Sequence, residues 1–343
     1  YEMIFGVGTA MIVAFFLTGL PELFPSVVPI VGKKLALIVL WWVLGRFSFW
    51  FMDYFGVLFT AIINVGLMAY ISYLAAIPAF KDRNKKHVSL AYSMVSIVII
   101  QALFFASELK ILEINSYKIL LLSLILVLVL IFLALRRVSM ESINELLEQE
   151  KIDDTFLAKS FRYNLVIFCL LLYGFVEFFF PNNSTLAYIC FACGASVLAI
   201  LNDFILKDNN ILFKPFVLYI VTTILLTSIG FFFLGFNYLF ELNVTNHFRH
   251  FITTGTFGMV FYVIMIIVST IHTGREIFTN LYLTIGLMLI IISTFIRAFI
   301  PYYFEYSMIL YILSSILWAI PFVIYIKIFF PFLLKPRADG IKG

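Results

Sequence analysis

The feature that most constrains this chain is a series of apolar runs, each about 20 residues long, separated by short polar segments. A helix of that length crosses a hydrocarbon core of about 30 Å. Hydrophobic residues make up 63% of the chain and charged residues only 12%, whereas soluble domains carry about a quarter charged residues. The alternating ten-residue segments of a membrane barrel do not occur in the sequence. The sequence therefore predicts an all-α, polytopic integral membrane helix bundle.

The apolar runs predict about eleven spans within a single transmembrane helical domain over residues 1–343. The first run starts almost at residue 1, and that residue is not Met. We therefore expect an upstream segment with one further helix, which makes about twelve spans in the full-length protein. The expected starts of the runs are near Met3, Leu35, Tyr54, Val88, Tyr117, Phe161, Leu186, Pro215, Phe251, Phe278 and Ser307.

The longest polar stretch covers residues 136–162. Within it, Met140–Leu147 places apolar residues at helical spacing with carboxylates between them. This pattern predicts a cytoplasmic loop with a short amphipathic helix at the membrane interface. A solvated connector is the alternative interpretation, and we assign the stretch no function.

Lys and Arg orient the predicted bundle, because basic residues in short loops concentrate on the cytoplasmic side. One set of alternate loops carries most of the basic residues, whereas the other side has Lys110, Lys118 and Arg249, with Arg46 and Arg297 at helix ends. This asymmetry predicts a cytoplasmic C-terminus and places residue 1 on the outer side. The net charge of +4 reflects the same asymmetry, so the lipid bilayer is the expected partner and nucleic acid is not.

Only four histidines occur, and two of them bracket one predicted span, with His250 before Phe251–Ile271 and His272 after it. A polar side chain at membrane depth has to be satisfied or useful. The roughly 22 residues between the two histidines, at about 1.5 Å each, separate them by about 33 Å, so they cannot ligate one metal. His247 and His250 share a face if their turn is helical, and both rings can then point at a metal or a haem iron. An interfacial pair in water is the alternative.

The motif His272-Thr-Gly274-Arg275 follows the same span. Gly274 permits the left-handed conformation that ends a helix, and His272 and Arg275 can satisfy the last carbonyls and the helix dipole. Capping alone explains the motif. Binding of an anion or of a cofactor propionate by Arg275 is the functional alternative.

Several polar residues near the outer ends of the spans predict a wet, polar cavity in the outer half of the bundle. Snorkelling and pairing between helices are the alternative for each of them, and Arg46 with Asp53 or Glu2 is the natural pair. The members of this set are Glu2, Arg46, Asp53, Gln101, Glu108, Glu177 and Arg297.

Two of the three cysteines, Cys190 and Cys193, share a helix face in the middle of a span. A zinc site needs two more ligands within reach, and a redox pair normally stands near solvent at a helix start. We expect packing residues at a helix contact. A copper(I) site shared with a Met from a neighbouring helix is the alternative.

Several short motifs are spread over both ends and most of the length of the chain. They are Phe248-Arg-His250-Phe-Ile-Thr-Thr-Gly255-Thr-Phe-Gly258-Met259, His272-Thr-Gly-Arg275, Pro331-Phe-Leu-Leu-Lys-Pro336-Arg-Ala-Asp339-Gly340, Glu2-Met-Ile-Phe-Gly6 and Leu44-Gly-Arg46. In combination they resemble the NnrS family.

The resemblance implies a bacterial inner-membrane protein, associated with haem and copper and with resistance to nitric oxide or a related small molecule. It makes His250 the first candidate ligand and His247 the second. It further implies a cavity shaped by Arg46, Asp53 and Arg297, and a cytoplasmic cofactor or capping site at His272 and Arg275. It does not establish a catalysed reaction and names no protein partner.

The chain departs from the family pattern at two places. The family's opening motif has a histidine immediately before Glu-Met, and Tyr1 stands there in this chain. A further family histidine, expected in the span that begins near Pro215, has no counterpart, and Tyr219 is the nearest polar aromatic residue. Since tyrosine ligates haem iron far less commonly than histidine, both departures count against a full haem complement.

Two other classes of protein are compatible with a polytopic bundle. A transporter or solute channel without a redox cofactor fits the many spans and the polar outer residues, although no pair of Gly/Pro-broken helices occurs in matching halves. A haem-copper oxidase core is excluded, because four histidines, one of them His87 in a cytoplasmic loop, cannot ligate two haems and a copper ion.

Overall fold

The fold is a bundle of long helices, seen in a computed structural model that describes residues 1–24, 26–82, 85, 87–181, 183–206, 213–276, 278 and 280–340. Helices make up 83% of it, and no strand occurs in these residues, which confirms the predicted fold class. The helices are α1 (Gly8–Leu23), α2 (Lys33–Trp50), α3 (Met52–Phe55), α4 (Val57–Lys81), α5 (Val88–Glu108), α6 (Ser116–Gln149), α7 (Ser160–Phe179), α8 (Thr185–Ala199), α9 (Pro215–Leu239), α10 (Thr245–Phe248), α11 (Phe257–Ile271), α12 (Leu281–Phe299) and α13 (Ser307–Leu334). Two 3₁₀ segments, Ile200–Phe204 and Ile300–Tyr306, follow α8 and α12.

Nine stretches of the described residues are long and apolar enough to cross a membrane. The last of them, Leu281–Leu334, contains both α12 and α13, and the backbone between these helices leaves helical values at Tyr303. The 18-residue α2 is not among the nine, and it carries Lys33, Lys34 and Arg46. The protein is thus a multi-span membrane protein, while the count of about eleven spans stays a prediction.

Two of the predicted spans begin slightly later than the hydrophobic pattern indicates. The third begins at Val57 rather than near Tyr54, because Gly56, with φ +79°, separates the short α3 from α4. The tenth begins at Leu281, where the side chain of Asn280 accepts a hydrogen bond from the backbone N–H of Tyr282 and caps the helix. Local turn and cap chemistry therefore moves these boundaries by a few residues.

The polar stretch over residues 136–162 differs from its predicted form. Helix α6 runs without a break to Gln149, so Met140–Leu147 forms its last turns rather than a separate helix. No Gly or Pro interrupts this part of the sequence. Ile143 and Leu147 are almost fully buried, and Asn144 both donates to and accepts from the backbone of Phe156. The apolar side chains here pack against protein.

By its internal contacts the chain divides into two compact units. The first comprises Tyr1–Leu133 and Gly174–Pro181, and the second comprises Ala134–Tyr173 and Asn182–Gly343. In the first unit α4 packs along α5 and α2, and in the second α8 packs along α9 and α12 along α13. The single domain over residues 1–343 stays a prediction.

Each unit contains one π-helical segment at the start of a long helix. The first π segment, Glu2–Val7, leads directly into α1, and the second π segment, Phe251–Thr256, leads directly into α11. π-helical turns are rare and occur frequently at functional sites, because they shift the register of side chains and leave backbone carbonyls available. Both segments begin immediately after an aromatic residue that the sequence marks as important, Tyr1 in one unit and His250 in the other.

Candidate functional site

His250 lies at the N-terminal boundary of the second π segment and is half-buried. Its Nδ1 is 3.2 Å from the hydroxyl oxygen of Thr253 and 3.3 Å from that of Thr254. These contacts come from the turn that the same segment forms, so local sequence fixes the orientation of the ring. Because Nδ1 is engaged, Nε2 is the nitrogen left to bind a ligand or metal.

His247 lies on the helical turn immediately before His250, as expected for two rings that share a face. The ring centroids are 6.3 Å apart. A metal ion bonded at roughly 2 Å to one nitrogen of each ring can bridge such a separation. Nδ1 of His247 is buried and has no hydrogen-bond partner among the described residues. A buried nitrogen without a partner is costly, which suits a ligand atom better than a packing residue.

Arg297, on the last turn of α12, completes what we call the histidine cluster (His247, His250, Thr253, Thr254 and Arg297). Its guanidinium carbon lies 4.5 Å from the centroid of the Tyr311 ring, and its charge interacts with the imidazole of His250. Helix α12 comes close to the second π segment at Gly255, where a Cβ would lie 2.9 Å from Cγ2 of Thr294. The glycine therefore allows the close approach of the helix that carries the arginine.

A second polar cluster lies in the first unit, around Arg46. Nη1 of Arg46 is 2.5 Å from a carboxylate oxygen of Glu2, and Nη2 donates to the side-chain oxygen of Asn64. Of the two partners expected for Arg46, the structure selects Glu2, whereas Asp53 is exposed on α3 and forms no ion pair with Arg46. A Cβ on Gly6 would lie 2.7 Å from the carboxyl carbon of Glu2, so only glycine leaves room for this pair.

The sequence analysis missed Asn64, which is 4% exposed and lies in the middle of α4. Its amide donates to the carbonyl oxygens of Thr60 and Gly45 at 2.9 and 3.3 Å. An Asn in an apolar run is itself a signal, because an unsatisfied amide at membrane depth is costly. What no local pattern indicates is that Arg46 is its partner.

Tyr1, in the place of the family histidine, is enclosed by aromatic side chains. Its ring stacks on Phe49 at 4.4 Å and contacts Phe104 and Phe105, and its phenol oxygen accepts a hydrogen bond from Nε2 of Gln101 at 2.9 Å. A phenol packed and hydrogen-bonded in this way does not fit an iron ligand, which has to present its oxygen to the metal. Within the described residues, the imidazole pair of the histidine cluster fits a metal better than Tyr1 does.

The motif His272-Thr-Gly-Arg275 ends α11 in a Schellman cap. Gly274 has φ +68°, its N–H donates to the carbonyl of Ile271, and the N–H of Arg275 donates to that of Thr270. The guanidinium of Arg275 donates to the carbonyl oxygen of Thr273 at 3.0 Å. The contacts around Arg275 therefore support the capping interpretation of this motif.

The carboxyl-terminal family motif docks on the same cap. The N–H of Ala338 donates to the carbonyl of Thr273 at 3.0 Å. The carboxylate of Asp339 lies so close to Gly274 that a Cβ there would be 2.5 Å from its carboxyl carbon. Asp339 also forms two hydrogen bonds with Arg337. Two motifs about 60 residues apart thus form one structural unit, which the sequence alone does not predict.

The three cysteines lie in the second unit, and all of their side chains are buried. Cys190 and Cys193 are fully buried on one face of α8, and Cys169 lies on α7. No group of three or more His, Cys, Asp or Glu side chains suitable for a metal occurs in the part of the chain that the structure describes. The packing interpretation of the cysteine pair stays a prediction.

The helices and the histidine cluster define a class: a polytopic helical membrane protein with paired imidazoles at the start of a span. Within that class the chain belongs to the NnrS family, because the family model described as NnrS protein matches residues 1–337. No curated protein and no solved structure matches the chain. The family resemblance drawn from the short motifs is thereby confirmed.

Proposed function

We propose that this NnrS-family protein contributes to the response and resistance to nitric oxide at the bacterial inner membrane, through a metal held by the histidine cluster. The proposal depends on one observation, the imidazole pair whose ring centroids are 6.3 Å apart, with the buried Nδ1 of His247 lacking a partner. His250 is the first ligand and His247 the second. Both histidines would hold a copper ion, or His250 would hold the iron of a haem.

Each residue of the cluster has a distinct task in this proposal. The hydroxyls of Thr253 and Thr254 engage Nδ1 of His250 and direct Nε2 toward the metal, which is the usual task of outer-shell groups around a ligating histidine. When bound, copper or haem iron supplies a site that coordinates nitric oxide and exchanges an electron with it. Arg297 holds positive charge beside the imidazole. Arg275 is assigned to helix capping, since its guanidinium donates to the carbonyl oxygen of Thr273, and His272 stays a candidate for the separate cytoplasmic cofactor or capping site.

Metal and haem analysis of the purified full chain tests the proposal directly. We expect bound copper or iron, and a Soret band if the iron is in haem. Replacing the ligand in His250→Ala should lower metal affinity by at least about tenfold. The matched control is His87→Ala, because that ring packs edge-on against Phe24 in the first unit and should leave the metal content unchanged.

Function is followed in the same variants by survival of cells exposed to a nitric oxide donor. Loss of protection together with loss of metal in His250→Ala, and in no control, supports the proposal. Metal-free and colourless protein that protects cells fully would contradict it.

A further inference from the structure

The two π segments, one in each unit, share the same local arrangement of residues. In both units an aromatic residue with a polar group precedes the π segment, and a glycine stands at the fifth position of the segment. The segment leads into one long helix, and the long helix after that one carries an arginine near its end. The corresponding pairs are Tyr1 and His250, Gly6 and Gly255, and Arg46 and Arg297. The first residues of the two segments also occupy corresponding positions, so Phe251 in the second unit stands where Glu2 stands in the first.

Each π segment also accepts a hydrogen bond from a tryptophan side chain of another helix. In the first unit the indole N–H of Trp42 donates to the carbonyl oxygen of Gly6 at 3.0 Å. In the second unit the indole N–H of Trp318 donates to the carbonyl oxygen of Thr254 at 3.1 Å. A π turn can leave a carbonyl without its usual partner in the helix, and in each unit an indole N–H satisfies such a carbonyl, at the fifth position of the first segment and at the fourth position of the second.

The two arginines differ in how their charge is balanced. The charge of Arg46 is balanced by the carboxylate of Glu2. The corresponding Phe251 is fully buried and stacks on Phe233, with ring centroids 5.1 Å apart, so it offers no charge. Arg297 stacks on Tyr311 and forms no ion pair with any residue that the structure describes. Stacking leaves its positive charge and its planar set of N–H donors available.

We propose that Arg297 binds a small monoanion with two oxygens, of the nitrite class, in the place that the carboxylate of Glu2 takes in the first unit. A guanidinium at the edge of an apolar bundle pairs most strongly with a planar anion that accepts two parallel hydrogen bonds. Nitrite has the same two-oxygen fork and single charge as a carboxylate.

This inference rests on the proposed function for its link to nitric oxide, because nitrite is the oxidation product of nitric oxide in water. Anion binding itself requires Arg297 and no metal. A carboxylate of the same shape also occurs in the propionate of a bound porphyrin. The two sources are separated by comparing haem-free with haem-loaded protein.

Calorimetric titration of the purified full chain with sodium nitrite tests the site, with sodium formate as the carboxylate of the same shape and formamide as its uncharged analogue. We expect nitrite and formate to bind to haem-free protein and formamide not to bind. Arg297→Gln should weaken nitrite binding by about 10- to 100-fold, since it removes the charged donor pair. Arg297→Lys keeps the charge and should lose less, because lysine lacks the planar fork.

The matched control is Arg249→Gln, which removes an arginine that flanks His250 and donates to Asn246. It should change nitrite affinity by less than about twofold. Binding that is equal in Arg297→Gln and in the unaltered chain would overturn the inference, as would the absence of nitrite and formate binding to haem-free protein. Binding to haem-free protein that disappears on haem loading would identify the propionate as the occupant of Arg297 and overturn the free anion as ligand.

Failure of this inference and failure of the proposed function are distinguishable. Metal content that depends on His250 while nitrite binds independently of Arg297 refutes the anion site alone. Nitrite binding that depends on Arg297, in a protein that takes up neither copper nor haem when these are supplied, refutes the metal site alone.

Discussion

The two π segments share a backbone design and differ in the groups that surround it. In the first unit, Tyr1 is stacked and hydrogen-bonded, and the charge of Arg46 is balanced within the protein by Glu2. In the second, His250 contacts only small hydroxyls through its ring nitrogen, and Arg297 has no carboxylate partner among the described residues. The comparison teaches that one rare helical geometry can serve packing in one region and leave ligand-binding groups available in another.

Among the substitutions that test this comparison, Glu2→Ala should have the largest effect on stability. The side chain of Arg46 is 7% exposed, so removal of the carboxylate leaves a buried cation without a charged partner, hydrogen-bonded to the side chain of Asn64. We expect the free energy of unfolding to fall by about 3 kcal/mol, measured by denaturation in mixed micelles. In the control Glu141→Ala, which breaks an exposed pair with Arg137 on α6, the loss should be about 0.5 kcal/mol or less. Equal losses would show that the Arg46 pair is not a buried one.

An intermediate effect on stability is expected for substitution of the glycines at which the arginine-bearing helices approach the π segments. Gly6→Ala places a Cβ against Glu2, and Gly255→Ala places one against Thr294, so each should lower the free energy of unfolding by about 2 kcal/mol. The control is Gly19→Ala in α1, where no heavy atom lies within 4 Å of the new Cβ. That change should raise stability by about 0.5 kcal/mol through helix propensity. A stabilising effect of Gly6→Ala would break the comparison.

The smallest effect is expected for the tryptophans that donate to the π segments. Trp42→Phe and Trp318→Phe each leave one backbone carbonyl without its indole donor, which should cost about 1 kcal/mol. Amide hydrogen exchange should show faster opening of the π segment in the affected unit. Trp50→Phe serves as control, because Trp50 is 64% exposed. If Trp50→Phe accelerates amide exchange as much as Trp42→Phe and Trp318→Phe do, the indole hydrogen bonds do not stabilise the π segments.

The fold class and the span that carries His250 were predictable from sequence, because the length and polarity of an apolar run are local properties. The structure has a candidate span over Thr245–Ile271, which ends directly before His272 as predicted but begins earlier than predicted, so that His250 lies within it. The left-handed Gly274 was predictable for the same reason, since a helix end is set by a few neighbouring residues.

Other parts of the candidate site depend on contacts between distant residues and were therefore not predictable. Neither the π segments nor the pairing of Arg46 with Asn64 has a local pattern. Arg46 had two equivalent acidic candidates, and only the packing of α2 on α4 and on the first π segment selects Glu2 over Asp53. The wet cavity proposed around Glu2, Arg46, Asp53 and Arg297 stays a prediction, and so do the metal ligands.

The packing of Asp339 against Gly274 constrains the order in which this protein folds during its synthesis. The helix that follows His250 emerges from the ribosome before the C-terminal segment that packs against its end, so the contacts of Ala338 and Asp339 with Thr273 and Gly274 cannot form while α12 and α13 are still being translated. The second unit can therefore reach its final structure only after residue 339 has been synthesised.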